Sequence, residues 1–221
     1  MPSDTPLVLG FDTSGSYCAA ALLRGDESLA TRHEDMGRGQ AERLMPMLEE
    51  MLAEVGVDWR DLGRIGVGVG PGNFTGVRIS VSAARGLALG LDVPALGVSL
   101  LDAAVWASDG PCLACLSAPR DRAYVQGYHT AASIPAQLHD IATLPTHWAE
   151  PGLTCIGPAS DPVAEHLGAD IAPAAFSPAS AIARIAAQRD VDGAPSPAPL
   201  YLREADAAPS REGAPVILDA R

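Results

Sequence analysis

Residues 66–80, GVGVGPGNFTGVRIS, set glycines at 66, 68, 70, 72 and 76 between an apolar run and a helix-like stretch. A glycine-rich loop joining a strand to a helix can offer backbone N–H groups to a phosphate, where the positive end of the helix dipole assists. Gly70, Gly72, Asn73, Thr75 and Gly76 are this loop's candidates for that chemistry. Asp12, Thr13 and Ser14, which follow the run LVLGF, form a second polar turn that could belong to the same phosphate site. Each feature also has a plain structural reading. The loop is a tight turn that needs glycine for steric reasons, and the Asp-Thr-Ser turn connects two strands.

The familiar phosphate templates fail. A Walker loop needs Gly-Lys-Ser/Thr, yet all 15 basic residues are arginine and lysine is absent. The same absence removes Schiff-base chemistry. A G-x-G-x-x-G fingerprint started at Gly66, Gly68 or Gly70 meets Pro71, Asn73 or Thr75 at its last position. No Gly-x-Ser-x-Gly elbow of a serine hydrolase occurs.

Metal chemistry has no better footing. The histidines are His33, His129, His139, His147 and His166, and none are four apart, so no helical ligand pair exists. CLAC at 112–115 lies in a strand-like segment, where residues three apart point to opposite faces. With Cys18 and Cys155 elsewhere, the thiols are expected to be small buried residues. No metal is expected.

The 221 residues suffice for one large or two small domains, and 48% apolar with 19% charged residues is a soluble globular composition. A net charge of −12 makes the chain a poor holder of nucleic acid alone, because phosphate binding rests on clustered positive charge. No apolar run approaches the roughly 18 residues of a membrane span. The N-terminus lacks the basic and apolar stretches of a secretion signal. A cytoplasmic protein without membrane contact is the expectation.

Alternation and turn residues predict strands at PLVLGF, SYCAAALL, ESLATRHEDM, RIGVGVG and PALGVS. Helices are predicted over GQAERLMPMLEEMLAEVG, VRISVSAARGLALG and LLDAAVWAS, with Pro46 beginning or kinking the regular part of the first. This β-β-β-α-β-α-β-α unit ends near Ser108. A shortened version follows: a hairpin across PRD, a weak strand near 137–144, LTCIG, SDPVAEHLG, ADIAP, and a helix capped by Ser177 with Pro178 first. The fold class is therefore α/β, of the actin-like, Hsp70-like and sugar-kinase (ASKHA) type. Residues 1–108 are read as an N-terminal subdomain, 109–190 as the shortened C-terminal one, and 191–221 as a Pro/Ala-rich tail containing PLYLRE.

The helix beginning GVRIS carries only Arg78 and Arg85 as charges, seven apart on one stripe. A helix apolar nearly all round must be covered on more than one side. Val77, Val81, Ala84 and Ala88 form one candidate face, and Ile79, Ala83 and Gly86 another. The preceding helix adds Leu44, Met45, Met47, Leu48 and Met51, and methionine suits adaptable contacts. An ordinary core is the alternative reading of these faces.

LGFDTS, AERLMPMLEEML, GVGPGNFTGVRISVSAARGLALGLDVPALGVSLLDA and PLYLRE together resemble the TsaB (YeaZ) family. The likeness is dense over residues 7–104, weak over 110–190 and returns at 199–204. It implies a bacterial subunit of the machinery that makes threonylcarbamoyladenosine beside the anticodon of tRNA. In that family TsaB is the non-catalytic paralogue of the transferase TsaD, pairs with it through a helical bundle and is joined by the ATPase TsaE. The resemblance favours Leu44, Met45, Met47, Leu48, Met51, Val77, Val81, Ala84, Arg85 and Ala88 as the partner interface. A homodimer on the same faces is expected when the partner is missing, and tRNA is met only through the complex.

Departures from the family pattern point the same way. Gln40-Ala41-Glu42 stands where the family often has His-Ser-Glu, Ser117-Ala118-Pro119 where it tends to have Asp-Ala-Arg, and Gly157 is followed by Pro158 where the fold's adenosine-binding turn has paired glycines. The expectation is a chain with no catalytic residue and no cofactor of its own. Any ADP or ATP belongs at the interface of the complex, and the polar turn and glycine loop are a vestige. The alternative is an ATP-binding phosphotransferase or ATPase of the actin-like fold.

Overall fold

A computed structural model describes residues 5–203. Its first sheet has the order β3-β2-β1-β4-β5, formed by β1 (Leu7–Asp12), β2 (Tyr17–Arg24), β3 (Glu27–Asp35), β4 (Leu62–Gly68) and β5 (Ala95–Val98). The first three strands are antiparallel neighbours, while β1, β4 and β5 run parallel. Parallel neighbours need crossovers, and α1 (Gln40–Val55) and α2 (Phe74–Leu91) supply them. α3 (Leu100–Ala104) follows β5 and is shorter than its apolar run suggested.

The second sheet repeats the plan. β6 (Cys112–Ala118), β7 (Arg122–Tyr128), β8 (Gln137–Asp140), β9 (Thr154–Ile156) and β10 (Asp170–Ala172) stand in the order β10-β9-β6-β7-β8. Read from β8, this is the order of the first sheet. The shortening has a definite place: two turns of 3-10 helix, Ile141–Thr143 and Thr146–Trp148, stand where the first half has α1. α4 (Ser160–Leu167) and α5 (Pro178–Gln188) complete the repeat, with Ser177 accepting from the Ser180 N–H as the predicted cap.

Two sequence expectations change here. Pro46 lies inside one helix that starts at Gln40, on the exposed side, where the missing backbone donor costs least. α5, assigned by sequence to the second half, packs on β1, β2 and β4 of the first sheet. Its small side chains explain this. Ala179, Ala183 and Ala186 share a core with Val8, Ala19, Ala21 and Leu23, while Ile182 and Ile185 join the core of α3 and β6. Gly10 and Gly66 admit the helix, since a Cβ on Gly10 would lie 2.6 Å from the Ala179 carbonyl oxygen and one on Gly66 2.7 Å from the Ala186 Cβ. Arg64 donates to the carbonyls of Ala186, Ala187 and Arg189 and so caps the C-terminus of α5. The layers thus run α1/α2, first sheet, α3/α5, second sheet, α4.

Cys112 and Cys115 fall in separate cores on the two faces of β6, so the CLAC thiols diverge. The tail predicted from residue 191 runs back over the first half, where the Leu200 N–H donates to the Val69 carbonyl at 2.7 Å. Of PLYLRE, Glu204 lies outside the described residues, as does the rest of the tail to residue 221.

Candidate functional site

The β4–α2 loop and the β1–β2 turn lie side by side because β1 and β4 are parallel neighbours in register at Phe11 and Val67. They are bolted together. The Asn73 N–H donates to the Ser14 carbonyl at 2.7 Å, and the Thr13 hydroxyl donates to the Gly76 carbonyl at 2.7 Å. The contact is too close for side chains at two loop positions. A Cβ on Gly76 would lie 2.0 Å from the Thr13 carbonyl oxygen, and one on Gly72 2.6 Å from that of Ser14. Gly70, at φ 94°, needs glycine for its backbone conformation.

Three of the loop's N–H donors, those of Asn73, Thr75 and Gly76, are already engaged. Asn73 caps α2, its side-chain oxygen accepting from the N–H groups of Thr75 and Gly76 at 2.9 and 3.1 Å. The loop's own amide therefore sits where an anion would. Thr75 is exposed and Gly76 is buried.

Asp12 is sealed as well. It is wholly buried, and one carboxylate oxygen accepts from the Ser14 N–H, the Ser14 hydroxyl and the Tyr17 hydroxyl at 3.2, 2.8 and 2.7 Å. The other oxygen has no hydrogen-bond partner. Burial pushes the carboxyl above its ordinary value, against the donors that pull it down. A phosphotransferase needs an ionised carboxylate open to its cation; this one lies behind Ser14 and Tyr17.

A cleft of about 810 Å³ separates the halves at this level. Its walls are residues 14–16, the loop from Pro71 to Thr75, the β6–β7 turn at Ser117–Pro119, and the returning segment Leu200–Arg203. Among the described residues no carboxylate, histidine or lysine lines the cleft. Among the described residues no group of three His, Cys, Asp or Glu is placed to hold a metal. Gln40, in the place of the family's histidine, bridges α1 to the first turn through the carbonyls of Met36 and Gly15.

The helical face needs correction. Leu44, Met47, Leu48, Met51, Val77, Val81 and Ala84 are at most 3% exposed and form the core beneath α1 and α2. They cannot touch a partner without unfolding the first half. Met45 and Ala88 are half-buried, and Arg85 is exposed. The sheet has taken the Val77–Val81–Ala84 arc of α2 and left the other outward. Ile79, Ala83 and Leu87 are half-buried there, Ser82, Gly86 and Gly90 are exposed, and Leu89 is 88% exposed. Nothing lies within 4 Å of a Cβ built on Gly86 or Gly90.

Sequence reasoning missed the cluster made by Phe74, Arg78 and Tyr201. The Tyr201 ring stacks on Phe74 at 4.8 Å between centroids, and Arg78 lies over Phe74 at 3.8 Å while donating to the Tyr201 hydroxyl at 2.9 Å. The ordered look of PLYLRE was its only signal.

Two copies of a β-β-β-α-β-α plan closing on a cleft define a protein of the actin-like and sugar-kinase fold class. The family described as tRNA N6-adenosine threonylcarbamoyltransferase, TsaD, matches residues 32–189. The chain belongs to that family, in its TsaB (YeaZ) branch. It is 38% identical over 94 residues to the Escherichia coli tRNA threonylcarbamoyladenosine biosynthesis protein TsaB, covering 42% of this chain and 40% of that protein. The match thus spans about two-fifths of that relative's length. An uncharacterized Mycobacterium tuberculosis protein is 31% identical over 219 residues, covering 91% of this chain and 94% of its own. The solved YeaZ of Pseudomonas aeruginosa superposes with a TM-score of 0.69 at 25% identity, covering 89% of this chain and all of that one. Among the described residues no helix is long and apolar enough to cross a membrane.

Proposed function

We propose that this chain is a non-catalytic subunit of the bacterial machinery that forms threonylcarbamoyladenosine in tRNA, and that it pairs with and activates the transferase TsaD through α1 and α2. The ATPase TsaE joins the pair, and tRNA is met through the partners, consistent with a net charge of −12 on this chain. The observation that carries the reading is the outward arc of α2, where a leucine 88% exposed stands beside two glycines with open space above them. Glycines on an exposed helix face are costly alone but let a second helix approach closely. Phosphotransfer by this chain is disfavoured by the sealed Asp12 and by the Asn73 amide on the loop's donors.

The test is co-purification with TsaD from the same organism. Gly86→Arg and Leu89→Arg should fold normally and weaken association about a hundredfold or more, because a buried unpaired charge costs several kcal/mol. Val81→Arg should instead fail to fold, since that side chain is 3% exposed in the core. Normal TsaD binding by both surface variants would overturn the proposed interface.

A further inference from the structure

The segment after Pro199 packs on two cores at once. Leu200 packs on the core of the first half, and Leu202, two residues on, packs on the core that α3, α5, β6 and β7 build between the sheets. Leu200, Tyr201 and Leu202 line the cleft together with residues 14–16 and Ser117–Pro119, so the segment lies at the cleft mouth between the two walls. Three contacts hold the segment on the first side: the Leu200 N–H on the Val69 carbonyl, the Tyr201 ring on Phe74, and the Arg78 guanidinium on the Tyr201 hydroxyl. Tyr201 is 44% exposed, so its contacts bridge surfaces and do not fill a core.

We propose that Leu200–Leu202 is a clasp: the chain's own peptide spans the interlobe cleft and holds the two halves closed. In a fold whose cleft closes on a ligand, the ligand supplies the contacts between halves. Here a covalently attached segment supplies them at high effective concentration. The segment lines the cleft mouth together with the glycine loop and Ser117–Pro119, and so adds a second link between the halves beside α5.

Amide hydrogen exchange on the full chain tests this. Tyr201→Ala removes the ring pair and the hydrogen bond, and should speed exchange about tenfold at residues 14–16 and at residues 117–118, on opposite walls of the cleft. Tyr201→Phe keeps the stack and should give a smaller rise at both places. Amides in β1 and at residues 112–115 of β6 should be unchanged in both variants. Unchanged exchange at the cleft walls in Tyr201→Ala would overturn the clasp. So would a rise confined to residues 14–16, which would make the segment a brace for α2 alone. Should Tyr201→Ala lose its fold, the same comparison is read from Tyr201→Phe.

Discussion

Asp12 sits at the end of a strand that points into a cleft, with one oxygen bonded to Ser14 and Tyr17 and the other orphaned. Desolvation outweighs those donors and raises its pKa above 3.8. Below pH 3.8 the group is protonated folded or unfolded, and the native state carries no penalty. As pH climbs, the unfolded chain ionises first, so the native state loses stability until the folded pKa is passed. Asp12→Asn cannot ionise, whatever its amide costs by geometry. The variant should therefore gain on the wild type as pH rises from about 4 to 7.5 in thermal denaturation. A melting-temperature difference constant over that range would mean that Asp12 ionises equally in both states. Tyr17 and the orphan oxygen were invisible in the sequence, because a polar turn after a strand reads alike whether it faces a ligand or its own fold.

The loop between β4 and α2 answers the question raised by its glycines. Gly72 and Gly76 are there for backbone contact with the Ser14 and Thr13 carbonyls, and Asn73 supplies the helix cap. Asn73→Ala should lower stability by about 1 kcal/mol, and Asn73→Asp should restore it, because a carboxylate accepts the same two N–H groups and suits the helix dipole. Chemical denaturation measures both; an aspartate variant as weak as the alanine would show that the cap is not the source. The succession of strands and helices along the chain was legible because alternation and turn residues mark it locally. The facing of α2 was not. Val77, Val81 and Ala84 against Ile79, Ala83 and Gly86 are two apolar arcs, parted on one side by the Arg78–Arg85 stripe, and only the sheet decides which is core. Pro46 does not begin the helix for a related reason, since proline's cost depends on whether its side of the helix is solvated.

At the scale of the molecule, α5 decides whether there are two domains or one. Its alanines close on Gly10 and Gly66 of the first sheet, while Ile182 and Ile185 share a core with α3 and β6. Sequence order places it with the second half, and its periodicity is apolar on both sides, so the crossing back was hidden. A helix shared by two sheets couples their unfolding. The tryptophans report separately: Trp59 packs on the first core, Trp106 on the core with α5, and Trp148 on the far face of the second sheet. Single-tryptophan variants should therefore give coincident urea transitions, as a two-state unit does. Gly66→Ala sharpens the test. Its methyl would lie 2.7 Å from the Ala186 Cβ and 2.9 Å from the Ile182 carbonyl oxygen, so α5 must move off the sheet. Overpacking of this kind costs about 1–3 kcal/mol. If α5 is the joint, the midpoints reported by Trp59 and Trp148 should both fall, although the substitution touches only the first sheet. A fall seen by Trp59 alone would mean that the second sheet stands without α5, and that the halves are separate domains held together by their loops.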